Sequence, residues 1–180
     1  MATKYKLIVV LVCFCMFFTM GYNNVVSAAD SLFNLYSGLS FLPAGDYSTF
    51  GFKFGGEVEV TPGINLQGDS TLYSQNVYLT EYYDTKVSLR IHRGSLSYKV
   101  ISFGNDSSVS INVLGGVGLY RVSAINNTIN ELGFHMGTFL EKKINTSFRI
   151  RGNIKLTQGM GTGLLEDGLI ELGGFLSYSF

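Results

Sequence analysis

Gly168-Leu169-Ile170-Glu171-Leu172-Gly173-Gly174-Phe175-Leu176-Ser177-Tyr178-Ser179-Phe180 closes the chain. Read at every second position, Ile170, Leu172, Gly174, Leu176, Tyr178 and Phe180 form an apolar row. Glu171, Gly173, Ser177 and Ser179 make the opposite row small or polar, with Phe175 the exception. Successive side chains of a strand point to opposite faces, so this period of two predicts a β-strand with one greasy side. Whether the remaining chain repeats the pattern decides the fold.

It does. Leu32 to Leu42 alternates loosely, with Phe33, Leu35, Leu39 and Phe41 on one face. After the connection Pro43-Ala44-Gly45-Asp46, Phe50, Phe52, Phe54, Gly56, Val58 and Val60 oppose Gly51, Lys53, Gly55, Glu57 and Glu59. Thr61-Pro62-Gly63 reads as a tight turn, because Pro sets one backbone angle and Gly permits the next. A third strand then sets Ile64, Leu66, Gly68 and Leu72 against Asn65, Gln67, Asp69, Thr71 and Tyr73.

From Ser74 to Gly94 the parity conflicts. Val87, Leu89 and Ile91 occupy one phase, whereas Leu96, Tyr98 and Val100 occupy the other. A bulge near Gly94, or a long loop hairpin before the real strand, reconciles the two sets, and Ser95 to Phe103 is expected to be the membrane part of strand four. Strand five places Val109, Ile111, Val113, Gly115, Val117 and Leu119 on one face, and Ser123 to Asn130 reads as a loop. Strand six carries Leu132, Phe134, Met136 and Leu140. Strand seven carries Phe148, Ile150, Gly152, Ile154 and Leu156, and Gln158 to Asp167 reads as the last loop.

At the other end, Lys4 and Lys6 precede an uncharged apolar run from Leu7 to Met20, followed by Val26-Ser27-Ala28. A basic start, a short apolar core and a small-residue cleavage pattern predict a signal peptide over 1–28 and a single domain over 29–180. The apolar run is short for a spanning helix. Cys13 and Cys15 both lie within it, so the exported part is expected to hold itself together without disulfides. Losing Lys4 and Lys6 leaves that part slightly acidic, which argues against a nucleic-acid partner. Its apolar residues are always interrupted by polar residues or glycine, which excludes a helical membrane protein.

The expected fold is all-β: an eight-stranded antiparallel up-and-down transmembrane β-barrel, with short turns near 61–63, 104–108 and 142–146 and longer loops mostly at the opposite end. The chain resembles the small bacterial outer-membrane barrel family typified by the OmpA transmembrane domain and OmpX. The likeness rests on Ser95-Leu96-Ser97-Tyr98-Lys99, the glycine-rich Leu114-Gly115-Gly116-Val117-Gly118-Leu119-Tyr120, and Leu176-Ser177-Tyr178-Ser179-Phe180. It implies localisation in the bacterial outer membrane after signal-peptide cleavage, with Tyr178 and Phe180 as the signal read by the barrel-assembly machinery. The chain departs from the larger OmpA arrangement in having no peptidoglycan-binding domain after the barrel. Trp is absent, so Tyr and Phe must supply both aromatic girdles.

The charges acquire a place in this scheme. Lys53, Glu57, Glu59, Arg149, Arg151, Lys155 and Glu171 all fall opposite the apolar rows. A Lys or Arg facing lipid at the midplane costs ~2–4 kcal/mol, so these residues are expected to form a polar network inside the lumen. A barrel of eight strands is about wide enough for side chains to fill, which disfavours a broad aqueous pore. The bland alternative is the solvated face of a soluble sheet. A soluble lipocalin-like barrel would need the reverse placement of Lys53 and Arg151.

No catalytic, cofactor or metal site stands out. His92 and Ser95 suggest a hydrolase pair, as in lipid A deacylases that resemble this family, but their spacing puts them on opposite faces of a regular strand. His135 falls on the glycine-rich interior row and is expected to be a hydrogen-bonding lumen residue. Two separated histidines and no exported cysteine make zinc an unpromising reading. Gly159-Met160-Gly161-Thr162-Gly163 lacks the following helix that a phosphate cradle requires.

The leading functional expectation is therefore a non-enzymatic structural or surface-interaction protein. Its partners would be outer-membrane lipid and lipopolysaccharide, together with an unidentified surface or host ligand. Tyr78, Tyr82, Tyr83, Leu164 and Leu165 are the candidate loop contacts, with self-packing as their bland alternative. A narrow channel for small solutes, sensitive to Arg149 or Glu57, and an outer-leaflet lipid-modifying enzyme are the competing classes.

Overall fold

The computed structural model describes residues 33–43, 49–73, 88–104, 108–124, 127–160 and 168–180. The expected signal peptide and the five candidate loop contacts lie outside them. The described residues form eight strands: β1 (Phe33–Leu42), β2 (Thr49–Thr61), β3 (Ile64–Tyr73), β4 (Ser88–Phe103), β5 (Val109–Ala124), β6 (Asn127–Lys143), β7 (Phe148–Gly159) and β8 (Leu169–Ser179). They join in sequence order into a closed barrel. Closure is antiparallel, β1 on β8, from Asn34 opposite Ser179 to Phe41 opposite Leu172. The C-terminal strand thus seals the wall and leaves no sheet edge.

Strand periodicity sorts the side chains as the alternation requires. Phe50, Phe52, Phe54, Leu96, Val117, Leu132, Ile150, Ile154, Leu172 and Leu176 are exposed on the outer wall, while Lys53, Glu57, Arg151, Lys155 and Glu171 are buried inside. An apolar exterior around a charged interior is the reverse of a water-soluble barrel and is the distribution a bilayer demands. At the turn end Gly63 has φ of 80°, as the Pro-Gly turn requires, and its N–H donates to Glu59 Oε1 at 2.9 Å.

Three expectations need correction. Strand four is not confined to 95–103. β4 runs unbroken from Ser88, and its register passes straight through Gly94, which lies opposite Gly68 on β3 and Val117 on β5. The register shift lies between Lys99 and Ile101 instead. The two apolar phases coexist because their surroundings differ. Leu96 faces outward, whereas Leu89 and Ile91 face inward into an apolar cluster with Leu42, Tyr73, Tyr120 and Val122 at the loop end of the barrel.

The stretch 123–130 is likewise not a loop. β5 and β6 pair as far as Ala124 opposite Asn127, so only 125–126 connect them. Backbone pairing here overrides a local composition rich in Asn and Ser. Finally, Gln158 and Gly159 belong to β7, where they lie opposite Phe134 and Gly133.

Candidate functional site

Below the apolar cluster the interior charges meet in two groups. The upper group joins β2, β3, β4, β7 and β8. Lys155 Nζ donates to Asp69 Oδ2 at 2.8 Å, and Lys53 Nζ lies 3.4 Å from the same oxygen and 3.0 Å from Glu171 Oε1. Arg93 reaches Glu171 through both terminal nitrogens, and its Nη2 also donates to Thr71 at 3.2 Å. Its Nε sits 3.3 Å from Asp69 Oδ1, an ion-pair contact without hydrogen-bond geometry. Tyr73 OH donates to Glu171 Oε2 at 2.9 Å and so ties the group to the apolar cluster above.

The lower group is built around Arg151, which donates to Glu57 through two nitrogens and to Glu141 through Nε. Arg149 Nη1 lies 3.3 Å from Glu141 Oε1. Asn34 and Gln67 donate to the two oxygens of Glu57 at 2.8 and 2.9 Å, and Gln67 continues to Ser97 at 3.0 Å. Buried carboxylates tolerate their loss of water only when paired and hydrogen-bonded, as Glu57 is on both oxygens.

Aromatic rings join the two groups. Lys53 Nζ lies 5.1 Å from the Phe175 ring centroid, Phe175 meets Tyr36 edge-on at 6.2 Å, and Arg151 sits over Tyr36 and Phe139 at 5.5 and 5.2 Å. Between them the interior leaves a cavity of about 20 Å³, room for about one water molecule.

Of the seven residues expected in the lumen, six are buried within these two groups. Glu59 is only half-buried and holds the turn at Gly63. Asp69, Arg93, Glu141 and Tyr73 were not singled out from the sequence, although all but Arg93 lay on strands whose parity was readable. Arg93 sat in the stretch where the parity conflicted.

His92 and Ser95 are not brought together. His92 lies on the outer wall, where its Nδ1 is 2.7 Å from Ser70 Oγ, while Ser95 Oγ points inward to His135 Nε2 at 2.7 Å. The Ser95–His135 pair is buried, and His135 Nδ1 has no hydrogen-bond partner among the described residues. A serine nucleophile needs a base oriented by a third group, and among the described residues His135 Nδ1 meets none. Among the described residues no three His, Cys, Asp or Glu side chains gather to hold a metal ion.

The closed, sequence-ordered antiparallel circuit has counterparts among solved structures. Neisserial surface protein A superimposes with a TM-score of 0.64 at 15% identity, covering 85% of this chain and 100% of its own. The chain has the fold of the small outer-membrane barrels. The N-terminal barrel domain of Pseudomonas aeruginosa OprF matches with a TM-score of 0.56 at 14% identity over 83% of this chain and 98% of that domain. Ail, the attachment invasion locus protein of Yersinia pestis, solved in complex with the heparin analogue sucrose octasulfate, matches at 0.55 and 13% identity over 84% of this chain and 100% of its own. At such identities the likeness is one of fold. No protein-family model matches the chain, and no curated protein matches it by sequence.

Proposed function

We propose that this protein is exported by a cleaved signal peptide over 1–28, assembled through Tyr178 and Phe180 by the barrel-assembly machinery, and anchored in the bacterial outer membrane as a closed, non-enzymatic barrel. Its role is structural and surface-interactive, exerted by the loop end through contacts with lipopolysaccharide or a host or surface ligand. The observation that carries this reading is the interior. Among the described residues, two ion-paired groups and an apolar cap fill it and leave about 20 Å³ between the two groups. What remains to act is the outside, and loops on a rigid scaffold are where small barrels vary. The attachment role in the name of Ail, and its binding of a sulfated sugar analogue, support a surface-interaction reading by analogy of fold.

The test is gel mobility of boiled against unboiled protein from a purified outer-membrane fraction, followed by planar-bilayer recording. The expected result is a heat-dependent shift in that fraction and no stepwise conductance. Conductance that changes on Arg149 or Glu57 replacement would establish the channel reading instead. A change in lipid A mass on expression, lost in His92→Ala, would establish the lipid-modifying one.

A further inference from the structure

On the outer wall, the register rows running round the barrel change character at β4. The row Leu39, Phe52, Leu72 continues across the sheet into Arg90 and Arg121, then Asn130. Arg90 and Arg121 lie directly opposite each other on neighbouring strands, and both are exposed. Like charges so placed repel, and no ion pair relieves either one among the described residues. On the β1–β2 side, by contrast, the loop end of the belt finishes with the tilted rings of Phe41 and Phe50, their centroids 4.9 Å apart.

One row nearer the turn end, His92 bonds Ser70 through Nδ1, leaving Nε2 for a partner outside the protein. One row further, Gly56, Gly68 and Gly94 lie side by side across β2, β3 and β4. A Cβ added at Gly68 or Gly94 would meet nothing within 4 Å. These glycines floor an apolar groove of about 690 Å³, within the ~300–1,000 Å³ of small-molecule sites. Two exposed cations on neighbouring strands thus stand one row to the loop side of His92, which lines an apolar furrow on a wall that faces lipid. A guanidinium is suited to phosphate oxygens.

We infer that the β2–β5 wall binds a membrane lipid with a phosphate headgroup. The phosphate sits between Arg90 and Arg121, beside His92, and an acyl chain lies along Gly56, Gly68 and Gly94. The bound phosphate offsets the repulsion of the arginine pair and fixes the height of this side of the barrel at the loop-end leaflet. The inference rests on the membrane placement of the barrel and not on its surface-interaction role.

The experiment is native mass spectrometry of the folded barrel released from detergent micelles, comparing retention of dioleoylphosphatidic acid with dioleoylglycerol, which differ only in the phosphate. Wild type is expected to retain the phosphatidic acid about tenfold better, the preference given by ~1.4 kcal/mol. Arg90→Gln with Arg121→Gln brings the ratio near unity. Gly94→Leu, whose Cβ meets nothing within 4 Å, weakens retention of phosphatidic acid several-fold with both arginines present. Lys99→Gln with Lys142→Gln, which removes two cations at the turn end, keeps the preference. Wild-type discrimination in the arginine double variant overturns the inference, as does unchanged retention in Gly94→Leu or an equal loss in the lysine control. Heat-dependent mobility of each variant reports its folding, and hence the membrane barrel, separately.

Discussion

Arg151 on β7 closes the lumen onto Glu57 on β2, a residue 94 positions away on a strand with which β7 shares no hydrogen-bonded edge. The guanidinium Nη1 donates to Glu57 Oε2 at 2.8 Å, while Nε serves Glu141. Such a pair acts less as a source of stability than as a constraint, because each partner is tolerable only while the other is present.

Arg151→Ala strands Glu57 and is expected to cost ~3–5 kcal/mol, read as a lowered urea midpoint for the barrel refolded in lipid vesicles. The double variant Glu57→Gln with Arg151→Met strands no charge on β2, and Glu141 keeps Arg149 at 3.3 Å. It is therefore expected to lose less than Arg151→Ala alone. A double variant as unstable as the sum of its singles would show that the pair is not coupled.

The upper group should respond asymmetrically. Among the described residues it sets Lys53, Arg93 and Lys155 against Asp69 and Glu171. Lys155→Met removes the surplus cation with little change of shape and is expected to cost under ~1.5 kcal/mol. Asp69→Asn leaves three buried cations around one carboxylate and is expected to cost ~3–5 kcal/mol. The same unfolding titration checks both, and equal losses would contradict the charge count as the governing feature.

Two glycines in contact across β4 and β5 give a steric contrast. A Cβ at Gly116 would fall 2.0 Å from the Gly94 carbonyl oxygen and 2.7 Å from Ser95 Cα, backbone atoms that cannot swing aside. Gly116→Ala is expected to destabilise by ~1–3 kcal/mol or to lower the refolding yield. Gly94→Ala, pointing into open space, is expected to stay within ~0.5 kcal/mol of wild type.

Phe180 separates assembly from stability. The residue is 66% exposed, and its ring meets Tyr178 and Phe33 at centroid distances of 4.9 and 5.9 Å at the turn end. Phe180→Ala therefore removes little buried area, and its unfolding midpoint in vesicles is expected to shift by under ~1 kcal/mol. If the terminal aromatic is the assembly signal, the heat-shifted band in cellular outer-membrane fractions falls several-fold. An unchanged band would remove Phe180 from that role.

Much of this architecture was legible residue by residue. Phe50 to Val60, Val109 to Leu119 and Ile170 to Phe180 could be assigned to the outer wall because the facing of a strand residue is a property of its own few neighbours. Lys53, Glu57, Arg149, Arg151, Lys155 and Glu171 could be placed inside by the same parity, together with the cost of a charge in lipid. The parity conflict between Ile91 and Leu96 is visible in the sequence, where a bulge near Gly94 or a long loop hairpin reconciles it. In the structure the backbone is regular, and what changes is the interior, from the apolar cap holding Leu89 and Ile91 to the ion-paired layer below it.

The sequence by itself therefore determined a strand-built wall with one face for lipid, a charged opposite face and a C-terminal strand able to close it, since all of these follow from local periodicity and solvation. Only the tertiary structure decided which charges meet, that Asp69, Arg93 and Glu141 complete the pairing, that β5 and β6 continue to their two-residue connection, and that Arg90 faces Arg121. Those relations arise across a lumen or between registers, where groups far apart in sequence are brought within a few ångströms, and no local pattern encodes the distance between them.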